Sequence, residues 1–261
     1  METILKINQP LSADAQRVVT QEQWTAELEK HLRDEKEFTK AYDEIVSRRR
    51  QLPWVKVEKA YVFEGEQGKV SLSDLFNSNN QLVIQHFMFG PDDEEGCTGC
   101  SFTADHVDCA RMHFEHNNLS FAAISRAPIE KLLRYKKRMG WSFNWVSSFE
   151  NDFNYDFHVS FTKEEVAQGR GYYNFQMTQI DGEELPGISV FFKDGQGDIF
   201  HTFSSYGRGG ELLIGAYNYL DLTPNGRNEM DENQNLMDWV RRHDQYEPAN
   251  TGESEKQSCC S

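Results

Sequence analysis

Cysteine, proline and basic side chains are all scarce in this chain. It holds five cysteines and seven prolines in 261 residues. An odd and sparse cysteine set excludes the small secreted domains that disulfides staple together. Basic residues number 27 against 42 acidic ones, a formal charge of −15. So acidic a surface repels phosphate backbones and anionic lipid, which argues against nucleic acid and membrane as partners. No long apolar run is present either. The strongest, within "QLVIQHFMF", falls far short of the ~20 residues that span a bilayer. The opening "METILKINQPLS" lacks the apolar segment of a secretory signal. Together these absences predict a cytoplasmic protein in a reducing compartment. Charged residues at 26% and hydrophobic residues at 38% are enough for a sizeable core.

What is present begins with a helix. Thr20 and Gln23 form a capping-box pattern, and Trp24, Leu28, Leu32, Phe38, Tyr42, Ile45 and Val46 recur at helical spacing. Pro53 stops the run. A helix over 20–50 would be ~45 Å long and suits a strap across the domain or a homodimer contact. From Trp54 the pattern alternates. "WVKVEKAYVFEG" reads as a strand, "SLSDLF" as a short helix or turn, and "QLVIQHFMF" as a buried central strand. Then come a helix over "SFTADHVDCARMHFEHN", the strand "LSFAAISR", a helix over "APIEKLLRYKKRMG", and a third strand, "SFNWVSS". Pro128 and Gly140 sit where helices start and stop. Residues 150–182 resist assignment. "GISVFFKDGQGDIFHTFSSY" reads as a hairpin and "GELLIGAYNYLDL" as a last helix. The division expected is a helical extension over 1–52, an α/β domain over 53–228, and a polar segment over 229–261 whose tail is disordered. Strands alternating with helices imply parallel pairing through crossovers.

"GPDDEEGCTGCSF" follows the central strand. A dithiol at a strand–helix junction reads as a redox motif. Two thiols three residues apart at a helix start can close a small disulfide ring, and the amides of the helix N-terminus favour the thiolate. The first cysteine is the more exposed, so Cys97 would attack a disulfide and Cys100 would resolve the mixed disulfide. Asp92, Asp93, Glu94 and Glu95 oppose this, because neighbouring negative charge raises a thiol pKa.

The motif has two rival readings. His106, Cys109, His113 and His116 fall on one helical stripe about 80° wide. On a continuous helix Cys100 lies about 160–200° from its middle, so one tetrahedral zinc site cannot use both sets. Peroxiredoxins place a proline seven residues and a Thr/Ser three residues before the reactive cysteine. Those positions hold Asp93 and Cys97 before Cys100, and Gly90 and Glu94 before Cys97.

The segments "RRRQLPWVKVEKAYVF", "QLVIQHFMFGPDDEEGCTGCSF", "SRAP", "RMGWSFNWVSS", "FNYDF", "LPGISVFF", "HTFSSYGRG" and "YNYLDLTPNGR" resemble a thioredoxin-like family of predicted dithiol–disulfide oxidoreductases, formerly a domain of unknown function. The resemblance runs from about Arg48 to Arg227. It implies an α/β thioredoxin-like fold, a central mixed sheet flanked by helices, with the long N-terminal helix as an extension. It also implies Cys97 and Cys100 as the site. Two departures from thioredoxin stand out. Ser189 takes the place of the proline that faces the dithiol, and Gly96 that of the tryptophan before the first cysteine. Ser189 and Arg126, which ends the second strand, are therefore the candidate substrate-binding residues. His201, Tyr206 and Arg208 share one motif, and Trp141 and Trp145 belong to the core. The function expected is disulfide exchange with a protein or small-molecule disulfide, reset by an upstream thiol reductant, with no cofactor and no metal. The alternative is a non-enzymatic binding or scaffold protein. Cys259 and Cys260 form a separate pair near the end.

Overall fold

The computed structural model describes residues 17–227, 229 and 237–247. The Cys259–Cys260 pair and the tail expected to be disordered lie outside them.

Helix α1 spans Gln21–Arg49 and opens as its sequence dictates. The Thr20 hydroxyl accepts the Gln23 amide at 3.3 Å, and the Gln23 side chain accepts the Thr20 amide at 3.2 Å. None of its residues is buried.

The stretch expected to be one strand after Trp54 divides. Strand β1 (Val55–Lys56) and strand β2 (Val62–Gly65) join opposite parts of the sheet, β1 against one edge and β2 toward the other. Alternation reports which face a residue takes, not which neighbour the strand finds. Lys59 anchors the crossing between them through Asp152 at 2.9 Å and Asp156 at 2.6 Å. Strand β3 (Gly68–Ser71) closes a hairpin with β2, and β4 (Gln81–His86) follows. Helices α2 (Thr98–Ala104) and α3 (Val107–Phe114) lead to β5 (Leu119–Ser125). Helix α4 (Ile129–Met139) begins at Pro128 and ends at Gly140, whose φ of 69° supplies the left-handed cap. Strand β6 (Asn144–Ser147) comes next.

The unassigned region resolves into α5 (Phe153–Asp156), α6 (Lys163–Gln168) and a small hairpin, β7 (Arg170–Tyr173) with β8 (Gln176–Gln179). These elements are too short for either periodicity to show. The expected hairpin is β9 (Gly187–Lys193) with β10 (Ile199–Tyr206). The last helix starts as a 3-10 turn over Gly207–Leu213 before α7 (Gly215–Leu220).

The main sheet runs β1-β10-β9-β4-β5-β6-β2-β3. Strands β4, β5 and β6 are parallel, and β9 is antiparallel to both β4 and β10. A βαβ crossover followed by an antiparallel hairpin beside the first strand is the thioredoxin-like fold, a mixed sheet flanked by helices. Strand β4 is buried on both faces. Leu82 and Ile84 face one cluster with Phe63, Phe76, Phe153 and Phe191. Phe87, just past its end, joins Phe121, Tyr135, Trp141, Phe143 and Trp145 on the other.

Residues 237–247, the described run within the polar segment, pack against the domain. Trp239 and Met237 pack on a buried set of Phe102, Ile214, Tyr217 and Val240, which seats residues 237–247 against α2. A few apolar residues dispersed among charged ones leave no period in the sequence. Among the described residues, no helix is long and apolar enough to cross a membrane.

Candidate redox site

The chain leaves β4 at His86 and is held in place immediately. The Phe87 amide donates to Ile124 O at 2.9 Å, and the Ala127 amide to Phe89 O at 2.7 Å. The loop then returns, and the Cys97 amide donates to Met88 O at 3.0 Å. Asp93 tightens the loop by accepting the Gly90 amide at 2.7 Å, and Lys131 Nζ donates to the carbonyls of Pro91 and Asp93. Gly96 has a steric reason. A Cβ there would lie 2.7 Å from the Phe87 ring and 2.9 Å from that of Tyr135. Those two rings occupy the space a larger residue would need.

Cys97 is the N-cap of α2, half-buried, and Cys100 lies one turn inside it at 4% exposure. The Met88 amide donates to Cys100 Sγ at 3.4 Å. The two thiols are driven apart. Hydrogen bonding from the Cys100 thiol, aided by the Cys100 and Gly99 amides and the Arg242 charge, outweighs burial and lowers Cys97 to about 6. Cys100 is raised well above the usual thiol range, because its proton is donated to Cys97, burial disfavours its charge, and Cys97 repels it.

Arg242 is the residue that sequence reasoning missed. It lies 146 positions beyond Gly96, yet its Nη2 donates to Gly96 O at 2.7 Å and its Nε to Tyr135 Oη at 2.8 Å. It also pairs with Glu95 at 2.8 Å. Arg138 binds Glu95 as well. The expected opposition of the acidic loop is therefore corrected. Glu95 is neutralised by two arginines, Asp93 is tied into the loop's own backbone, and Asp92 and Glu94 are exposed. Arg242 is the charge that acts on Cys97.

Two cavities flank Cys97. One of about 310 Å³ lies between the dithiol and the start of β9, lined by Gln85, Cys100, Pro186, Ile188 and Met237 among others. The second, about 440 Å³, is walled by the acidic loop, Met88 and Glu184. Burial raises Glu184 to about 7, despite hydrogen bonds from Ser160 at 2.7 Å and Arg126 at 2.8 Å.

Both candidate substrate-binding residues are placed elsewhere. Arg126 is spent on Glu184 and, at 3.7 Å, Glu183, with its guanidinium over the Tyr155 ring, so it offers no charge to the thiols. Ser189 is fully buried. It bonds His86 Nε2 and Ser204 Oγ, each at 2.8 Å. Pro186, Gly187 and Ile188 face the dithiol instead. The alignment with thioredoxin's proline puts the contact within three residues of the observed one, but one step along a strand turns a side chain to the opposite face.

The histidine stripe is also rearranged. The helix breaks between α2 and α3, where Asp105 accepts from Trp141 Nε1 at 2.8 Å and contacts His243 Nδ1 at 2.6 Å. His106 Nδ1 donates to Phe102 O at 2.7 Å, and its Nε2 accepts the Ala216 amide at 3.0 Å. Both ring nitrogens are used in joining α2 to α7. Among the described residues, no group of three His, Cys, Asp or Glu side chains is placed to hold a metal ion. Of the hairpin motif, His201 contacts Ser204 Oγ at 2.7 Å, Tyr206 donates to Phe157 O at 3.1 Å, and Arg208 borders the smaller cavity.

The model of one bacterial family, described as a bacterial protein of unknown function (DUF899), matches residues 13–246. The chain belongs to this family. No curated protein matches it. Among solved structures it is similar to the peroxidoxin BcpB from Mycobacterium tuberculosis, at 12% identity and a TM-score of 0.42, over 65% of this chain and 97% of that one. A mutant peroxiredoxin Q from Xanthomonas campestris gives 12%, 0.38, 61% and 90%. A protein described as a candidate thiol:disulfide interchange protein, DsbE, from Chlorobium tepidum gives 11%, 0.36, 62% and 93%. At such identities the likeness concerns fold alone.

Proposed function

We propose that this protein is a thiol–disulfide oxidoreductase in which Cys97 attacks and Cys100 resolves. The observation that carries the reading is the division of labour within the dithiol. A half-buried thiol lowered to about 6 at a helix N-terminus stands one turn from a buried thiol raised well above its usual range, beside a cavity.

The Cys97 thiolate attacks one sulfur of a substrate disulfide. A Cys97–substrate bond forms and the first substrate thiolate leaves. That thiolate, or water, takes the Cys100 proton. Cys100 then attacks Cys97 Sγ, and the second half of the substrate departs as a thiolate that takes a proton from water. The substrate gains two electrons, and an external thiol reductant returns the Cys97–Cys100 disulfide to the dithiol. The Cys100 proton stays in place until the mixed disulfide has removed the negative charge from Cys97. The smaller cavity suits the leaving half of a compact or apolar disulfide. Gln85 Oε1, buried without a hydrogen-bond partner while its Nε2 is held by Cys100 O at 3.0 Å, offers that half an acceptor.

The test is the reduction potential of the pair together with trapping. The expected potential lies near the cytosolic poise of about −220 to −320 mV, and the Cys100→Ser variant accumulates a mixed disulfide on Cys97. A value near −120 mV would reverse the direction of electron flow. A dithiol that never oxidises, or stoichiometric zinc in the purified protein, would end the oxidoreductase reading.

A further inference from the structure

Helix α1 is the longest element among the described residues and buries none of its side chains, although its C-terminal end meets the sheet, with the Arg49 guanidinium over the Phe203 ring. Trp24, Leu28, Leu32, Phe38, Tyr42 and Ile45 are 38–69% exposed along it. At about 100° per residue these side chains and Val46 fall within about 140° of one another, a single apolar face. The spacing on that face has a symmetry. From Trp24 to Val46 the steps through 28, 32, 38 and 42 are four, four, six, four and four residues. Read backwards the pattern is the same, with its centre at Glu35.

We infer that the protein is a homodimer in which two α1 helices pair antiparallel, centred on Glu35. In that register Trp24 meets Val46 of the other copy, Leu28 meets Tyr42, and Leu32 meets Phe38, while Ile45 falls opposite Thr25. A parallel pair would also set apolar beside apolar, each residue beside itself, but it would align the two helix dipoles, which antiparallel pairing opposes.

Charge does not set the register: by the same wheel Glu22, Arg33, Glu37 and Arg48 lie more than about 120° from the middle of the apolar face, so the opposite charges that share levels point away from the seam. Glu27 and Asp43 share a level at its flanks and Glu35 meets its own copy at its centre, while within each helix Lys30 binds Glu27 at 3.3 Å and Lys40 binds Glu37 at 2.7 Å. At the centre each Glu35 holds its own His31 at 3.0 Å. One polar layer within an apolar seam fixes register, as a buried polar residue does in a coiled coil.

The sheet supplies the other half of the interface. A groove of about 610 Å³ runs beside the C-terminal end of α1, bounded by Tyr42, Trp54, Phe192, Phe203, Leu212 and Leu213. Antiparallel pairing brings the partner's N-terminal half alongside Tyr42 and Val46, over this groove. Trp54, Leu212 and Leu213 are themselves 49–58% exposed. Covering these three together with the six exposed side chains of α1 removes roughly 900 Å² per copy, taking ~100 Å² for each, against the ~800 Å² per partner of a specific interface. Ile188 and Ser205 line both this groove and the dithiol cavity, so the partner helix buttresses the wall of the redox site.

The experiment measures the mass of the full chain by sedimentation or light scattering, and then tests the register with two single variants. The wild type is expected at twice the chain mass of 30.3 kDa. Leu28→Lys and Tyr42→Glu each bury an unmatched charge and should raise the dimer dissociation constant about 100-fold or more. Mixed one to one, they should recover a dimer within about tenfold of wild type. The introduced ammonium of one variant then faces the introduced carboxylate of the other on one side, while the Leu–Tyr contact survives on the opposite side. Both positions are exposed in the monomer, and an unchanged circular dichroism spectrum confirms folding. A monomeric wild type overturns the proposal, as does either variant remaining dimeric, or a mixture that stays monomeric.

Discussion

Replacing Cys100 by alanine removes the largest influence that holds the Cys97 thiol low. A hydrogen bond to a charged group contributes about 1.5–3 kcal/mol, or about one to two pKa units. The Cys97 midpoint should therefore move from about 6 to between about 7 and 8 in Cys100→Ala. Cys100→Ser keeps a donor at that position and should stay within about half a unit of wild type. The assay is alkylation by iodoacetamide across pH, with the Cys97 peptide quantified by mass spectrometry so that Cys109 and the other thiols do not contribute. The midpoint of the profile is the readout, not the rate at pH 7. A higher pKa reduces the thiolate fraction but makes each thiolate more nucleophilic, with a Brønsted slope of about 0.4–0.5, so the rate changes less than the fraction. An unmoved midpoint in Cys100→Ala would refute the donation from Cys100. Equal shifts in Ala and Ser would show that packing, not the donor, sets the value.

The same geometry sets two further expectations. Gly96→Ala drives a methyl group into the Phe87 and Tyr135 rings at 2.7 and 2.9 Å and should cost about 1–3 kcal/mol in denaturant unfolding; wild-type stability would show that the loop yields freely. For Glu184, burial raises the carboxyl from 4.5 to about 7, so the folded state holds the proton more tightly. Its contribution is complete below about pH 4.5 and lost as the pH rises toward 7, so Glu184→Gln should flatten the fall in stability across that window by about 2–3 kcal/mol, and an unchanged slope would mean the group titrates normally.

Local chemistry was legible from the chain because its causes are local. The Thr20–Gln23 capping box needs only the residues of one turn, and α1 begins where it appears. Gly140 ends α4 through its own φ, and β9 and β10 close over the glycine-containing turn between them. The dithiol was readable for the same reason, since Cys97 and Cys100 share one turn of α2. The surroundings of the dithiol were decided by packing between distant segments. Arg242 reaches Gly96 only because Val240, Met237 and Trp239 are seated on α2. Arg126 ends the expected strand, but its charge belongs to Glu184, which no spacing rule connects to it. Ser189 sits near the expected place, yet the pleat of β9 turns it toward His86 and away from the thiols. Sequence thus determined which residues could react, because helix starts and strand faces depend on neighbours a few positions away. Tertiary structure alone decided which charges those thiols feel, because electrostatic interaction depends on distance in space and is blind to separation along the chain.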